Sequence, residues 1–224
     1  MSEEREQELD TQTVKETVRT ATERSEFIRK DVRDITLKAL SQGRLDMKKI
    51  NQVVRAVMEG ASIGAETKAE QVKVTLTDAM AGIDEALAKS AEASKLAIEE
   101  TAGHVKDFSN HDLKRALDDL LTLEDLFFDT VHDVAKGTNE MVKEALGDLV
   151  KHARQSGTDV GKTSAEAVTS LNHKLGNTLK DTTSASAHAT LEVGAHIANA
   201  AAGILEGIAD TLQSNNKHES GKDS

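Results

Sequence analysis

Apolar positions along this chain recur in threes and fours. From residue 14 to residue 39, Val14, Val18, Ala21, Ser25, Ile28, Val32, Ile35 and Ala39 alternate spacings of four and three. That is a heptad seam with one Ser in it, as expected of a helix burying a narrow stripe against a partner helix. A second seam runs Leu113, Leu117, Leu120, Glu124, Phe127, Val131, Val134. Leu121, Phe128 and Ala135 widen it on a neighbouring row. This face is the richest in large side chains. It places the centre of the core at Leu117, Leu120, Leu121, Phe127, Phe128 and Val131.

The period lengthens elsewhere. Val160, Ser164, Val168, Leu171, Leu175, Leu179 and Thr182 lead on to Ala189, Val193, Ile197, Ala201, Ile204, Ile208 and Leu212. Their mean step is about 3.7, nearer an 11-residue repeat than a heptad. Ile83, Leu87, Ala91, Ser94, Ile98, Ala102 and Val105 behave the same way. Such a period suits a straight helix, a right-handed twist, or a helix lying flat on a lipid or polymer surface.

Helix starts are written at two places. Asp46 is a plausible N-cap, flanked by Leu45 and Ile50 in a hydrophobic staple. Ser109 is another, flanked by Phe108 and Leu113, with Asp112 three residues on as in a capping box. Gly43 suits a helix C-terminus. A further break is expected around Gly157 and Gly161, which flank Asp159. These signals predict four helical stretches, about 11–42, 47–107, 110–155 and 158–213. The fold class is all-α, with long amphipathic helices in an antiparallel bundle or an elongated arrangement. The division is a polar, disordered 1–10, a helical hairpin over 11–80, a long-helix bundle over 81–213 and a disordered tail over 214–224.

Composition sharpens this picture. There is no Pro in 224 residues, which permits long uninterrupted helices. Leu, Ile, Val and Phe supply 50 residues, roughly 22%, just above the level at which disorder sets in. The core is therefore expected to be thin and rich in Ala. A net charge of −11 argues against nucleic acid as a partner, because phosphate binding needs a basic patch. With no Cys, neither disulfides nor thiolate metal sites arise. The acidic start MSEEREQELD is unlike a signal peptide, so a cytoplasmic location is expected.

Three Gly pairs at four-residue spacing invite a chemical reading: Gly60 with Gly64, Gly157 with Gly161, and Gly203 with Gly207. In an apolar 20-mer such a pair marks membrane-helix dimerisation. The window 183–205 instead contains His188, Glu192, His196 and Asn199. A central acidic group costs about 3 kcal/mol on insertion, so no transmembrane span is expected. Close approach of packed helices is the simpler reading. Ile204 and Ile208 lie on the apolar stripe with Val193 and Ile197, and Gly203 and Gly207 border it about 100° to one side. His188, Glu192 and His196, at i, i+4 and i+8, are a candidate metal stripe, weighed against an exposed polar face. Asp129 and His132 form an Asp-x-x-His step, but a di-metal bundle needs Glu-x-x-His on two helices and the chain has none. No GxGxxG, Walker, HExxH or GxSxG pattern occurs. No catalytic residue, cofactor or enzymatic activity is expected.

The segments VRDITLKALSQGRLDMKKINQVVRAVMEGASIGAE and AEASKLAIEETAGHVKDFSNHDLKRALDDLLTLEDLF resemble a family of bacterial proteins known only as a domain of unknown function. The likeness spans roughly 27–212 and implies an all-helical fold. A looser, compositional likeness over 65–107 and 158–212 is to phasins, which coat polyester storage granules. Apolipoprotein-like and desiccation-related helical proteins share the same texture. The leading expectation is thus a structural or interaction protein acting by helix–helix packing, through self-association or with another helical protein. The alternatives are coating of a hydrophobic lipid or polymer surface by the 158–212 helix, and a metal-binding bundle.

Overall fold

A computed structural model describes residues 11–104, 110–175 and 190–219. Among them the regular structure is helical throughout, with no strand. The helices are α1 (Thr11–Arg24), α2 (Ile28–Ser41), α3 (Met47–Glu66), α4 (Val72–His104), α5 (Asn110–Leu121), α6 (Leu123–Ala135), α7 (Glu140–Ser156), α8 (Asp159–Leu175) and α9 (Thr190–Glu219). The all-α class stands. The expected stretches are broken more often than the Gly pattern suggested.

Short polar side chains make most of those breaks. Ser25 Oγ accepts from the Phe27 N–H at 2.9 Å between α1 and α2. The hydroxyls of Thr67, Thr122 and Thr138 each donate to the carbonyl three residues back, Gly64, Asp119 and Ala135, at 2.7, 3.0 and 2.9 Å. Each adds a side-chain donor to a carbonyl of the last turn, which at Gly64 and Ala135 also accepts the Thr backbone N–H at 3.3 Å. Helix starts are capped as side-chain chemistry requires: Asp46 accepts from the Lys49 N–H at 2.9 Å, and Asn139 from the Val142 N–H at 3.0 Å. Gly43 and Gly157 carry φ of +74° and +81°, the left-handed conformation glycine adopts without strain. The expected cap at Ser109 lies outside the described residues.

Packing follows a parallel register between successive hairpins. Lys15 pairs with Glu59 while Thr22 lies against Gly64, so α1 and α3 run the same way. Arg29 contacts Glu85, and the α2–α3 loop lies beside Ser94 and Ile98, so α2 and α4 do too. Asn51–Thr130 and Arg55–Asp133 align α3 with α6. Along α4 the offset is constant: Lys73–Asp148, Asp84–Asp159 and Glu99–Lys174 each join residues 75 apart. Thus α7 and α8 follow α4 as one rod across their break. Because the start of α3 lies beside the end of α4, α3 and α4 are antiparallel, and so are α1 and α2. The molecule is a stack of helical hairpins laid over one another in the same sense, with α9 against α2, α4 and α5.

At the centre, α4 touches α2, α3, α5, α7, α8 and α9. Surrounded on several sides, it buries Ala79, Ile83, Ala86, Leu87, Ser90, Ala91, Ala93, Ala97 and Ile98. Phe127, Phe128, Val131, Leu117 and Leu120 are buried on the α5–α6 face. Leu121 corrects the expectation: it is 53% exposed. The widened row assumed one continuous helix, but α5 ends at Leu121 and α6 restarts after Thr122. With Leu113, Leu117 and Leu120 turned inward, the next residue falls about 100° away, in solvent. On α9 the buried line is Ala198, Ala201, Ala202, Leu205 and Ala209. Ile197, Ile204 and Ile208 flank it, partly buried and packed on the core.

Gly60, Gly64 and Gly82 set the distances between hairpins. A Cβ on Gly64 would sit 2.7 Å from Thr22 Cβ and 2.8 Å from the Arg19 carbonyl oxygen. One on Gly60 or Gly82 would strike the carbonyl of Lys15 or Arg29 more closely than any real side chain approaches. Nothing lies within 4 Å of a Cβ on Gly203 or Gly207, and both are exposed. The same spacing therefore serves packing in one helix and none in the other. Gly60→Ala and Gly82→Ala should each lower stability by about 1–3 kcal/mol through overpacking. Gly203→Ala and Gly207→Ala should each raise it by up to about 1 kcal/mol, because Gly is costly in a helix interior. Urea unfolding of the four variants reads the contrast; equal effects at all four positions would refute the packing role.

Candidate functional site

Two polar junctions and one set of exposed apolar tips stand out from the helical frame. The first junction is the start of α8. Thr158 caps it, its Oγ accepting from the Gly161 N–H at 3.0 Å, while its hydroxyl donates to the Glu124 carboxylate of α6. Asp84 of α4 reaches across and accepts from the N–H groups of Asp159 and Val160 at 2.9 and 2.8 Å. A side chain of one helix thus satisfies the free amides of another. Burial raises the Asp84 pKa; the two amide bonds oppose this, and Asp159 and Glu124 add to the rise. This junction is a clamp between α4, α6 and α8. Its groups are engaged with one another.

The second junction is a cavity of about 360 Å³ where the α2–α3 loop, α3, α4, α5, α6 and α9 converge. Its walls include Leu45, Ile50, Ile98, Leu120, Leu123 and Ile197. Asp46 fixes one edge by capping α3, and the Leu45 N–H donates to the Ala198 carbonyl at 3.0 Å, tying the loop to α9. At the rim, Arg44, Lys48 and Arg115 are exposed and make no ion pair with any described residue. Asp46, Ser94 and Asp119 complete the polar lining. Asp119 lies where desolvation raises its pKa; the Arg115 charge opposes the rise, and Asp118 and Asp46 reinforce it. The size falls at the lower end of small-molecule pockets, and an apolar body with a few convergent polar groups is their usual form.

The tips lie at the opposite end. Phe27 sits in the α1–α2 turn, Ile63 in the last turn of α3, Val74 in the first turn of α4 and Met141 in the first turn of α7. All are exposed, Phe27 by 69% and Val74 by 65%.

The residues singled out by sequence fare unevenly. Phe127, Phe128, Val131, Leu117 and Leu120, named for the core, are buried. His188 lies outside the described residues, as do the side chains of Glu192 and Val193, and His196 is exposed. Among the described residues no group of three or more metal-ligating side chains converges. No helix among them is long and apolar enough to cross a membrane. The cavity rim went unrecognised in sequence. Its one visible signal is the Asp46 cap, which marks where the loop meets α3. Nothing in the heptad pattern distinguishes Phe27 or Val74 from seam positions.

The model of a family of unknown function, DUF6781, matches residues 4–214. No curated protein and no solved structure matches the chain.

The Asp84 clamp has a pH signature. Its folded pKa is raised, so the folded state holds its proton to higher pH than the unfolded state does. Stability therefore falls as pH rises from the ordinary carboxylate value, about 3.9, through the raised one. In thermal melts from pH 7 downward, wild type should gain on Asp84→Asn across that window. A constant difference between the two would show that Asp84 carries no such linkage.

Proposed function

This chain belongs to DUF6781, a family of unknown function, and we propose that it is a non-enzymatic interaction protein that associates end-on with a second copy of itself through its hairpin tips. One observation carries this reading. Of the six large apolar side chains exposed among the described residues, four (Phe27, Ile63, Val74 and Met141) lie at the tips at one end of the stack. Scattered single apolar residues are normal on a surface; a grouping at one end is the form of a contact site. The surrounding charges are mixed, with Glu66, Lys68, Glu70 and Lys73 alternating in sign. A two-fold contact places the same patch on both partners, and such a patch can complement itself despite the net charge of −11. The non-enzymatic part of the reading rests on the sequence, which carries none of the nucleotide-binding, zinc-protease or serine-hydrolase patterns.

A second reading has its own observation. The line that holds α9 to the body is mostly Ala, and Ile197, Ile204, Ile208 and Leu212 are only partly buried. Small side chains bury little area, so docking of α9 is weak relative to a Leu-rich seam. Release would free an amphipathic helix to lie on a lipid or polymer surface. Its stripe is occupied in the structure by α2 and α4, so coating requires α9 to leave.

Light scattering across a concentration series separates the two. Self-association gives a mass rising toward twice the monomer's, and Phe27→Ser with Val74→Ser should hold the chain monomeric with an unchanged helical spectrum. A wild type that remains monomeric at every concentration overturns the first reading. Vesicle flotation tests the second: Ile204→Ser with Ile208→Ser should abolish binding, and absence of wild-type binding removes the reading.

A further inference from the structure

We propose that the cavity beneath the α2–α3 loop is a binding site for a small anionic amphiphile, its hydrocarbon chain among the Leu and Ile side chains and its single carboxylate on Arg44, Lys48 and Arg115. The cavity volume of about 360 Å³ bounds the ligand. At about 30 Å³ per water-sized group, it admits roughly a dozen non-hydrogen atoms. Its inner wall offers Leu45, Ile50, Ile98, Leu120 and Leu123, all buried, and no charged side chain. A ligand filling it must therefore be apolar along most of its length.

The rim supplies the other half of the chemistry. Three cations face two carboxylates there, in a chain that is otherwise strongly acidic. Elsewhere in the molecule many cations are paired, as Lys15 with Glu59, Arg55 with Asp133 and Lys174 with Glu99. Arg44, Lys48 and Arg115 make no ion pair with any described residue, although the Arg115 charge acts on Asp119, and of the two rim carboxylates Asp46 already accepts from the Lys49 N–H of α3. The remaining excess is cationic. Arg and Lys hydrogen-bond a carboxylate more strongly than a neutral group. The mouth thus favours a monoanion over a cation on the same chain. The α2–α3 loop and α9 both contribute walls, and the Leu45 to Ala198 hydrogen bond holds them in place without a ligand.

Isothermal titration of the full chain with decanoate, below its micelle concentration, tests this against decyltrimethylammonium and decanol. Decanoate should bind saturably at one site, at least about tenfold more tightly than the ammonium. Lys48→Gln with Arg115→Gln should weaken decanoate about tenfold while decanol changes by less than about twofold. Ala116→Phe, which places a ring at the cavity wall, should abolish decanoate binding with the helical spectrum retained. No saturable heat, equal affinity for the anion and the cation, or decanoate binding unaffected by the double charge variant would each overturn the proposal. Self-association at the opposite end is read by mass rather than by this heat, so the two ideas fail separately.

Discussion

Backbone contact between parallel helices is the constraint on which the rest of this structure depends. The chain has few large side chains to spend on a core. It compensates by bringing helices so close that Ala, Ser and Gly suffice to fill the space between them. Gly60 and Gly64 admit α1, and Gly82 admits α2, against carbonyl oxygens that no side chain could approach. Dispersion acts over short distances, so closeness substitutes for bulk. It also makes the interfaces intolerant: a methyl group at any of these positions has nowhere to go.

Once the hairpins are stacked at that distance, the rest is positioned. The central α4 meets a neighbour on nearly every side, which explains why its apolar residues spread around the helix instead of forming one stripe. Its constant offset from α7 and α8 aligns Asp84 with the start of α8 and Glu99 with Lys174. The hairpin turns gather at one end and leave Phe27 and Val74 outward. The α2–α3 loop, α5 and α9 meet at the other end, and the space they fail to fill is the cavity.

Much of this was legible in the spacing of apolar residues, and the limits have physical causes. The seams at Val18, Ile28 and Val32, and at Leu117, Phe127 and Val131, mark buried faces because a helix repeats its face every three to four residues whatever it packs on. Asp46 announced α3 because a carboxylate before an amphipathic run has few other uses. The breaks at Ser25, Thr67, Thr122 and Thr138 were not legible. Ser and Thr bond back to the helix as readily within it as at its end, as the buried Thr36, Ser90 and Thr101 do. Missing Thr122 put Leu121 in the core. The Gly pairs show the same limit: spacing alone does not say whether another helix lies opposite. The cavity rim depends on residues from three separate elements, and no local pattern joins Arg44 to Arg115.

The parallel register of α4 with α7 and α8 is the central claim, and thiol cross-linking tests it directly because the chain has no cysteine of its own. Cysteines replacing Lys73 and Asp148, or Glu99 and Lys174, should be joined efficiently within one molecule by a short bismaleimide, which spans the reach of the ion pairs it replaces. The exchanged pairs, Lys73 with Lys174 and Glu99 with Asp148, should not, since their partners lie about 39 Å apart along a helix rising about 1.5 Å per residue. Cross-linking of the exchanged pairs in place of the first two would mean that the hairpins stack in the opposite sense.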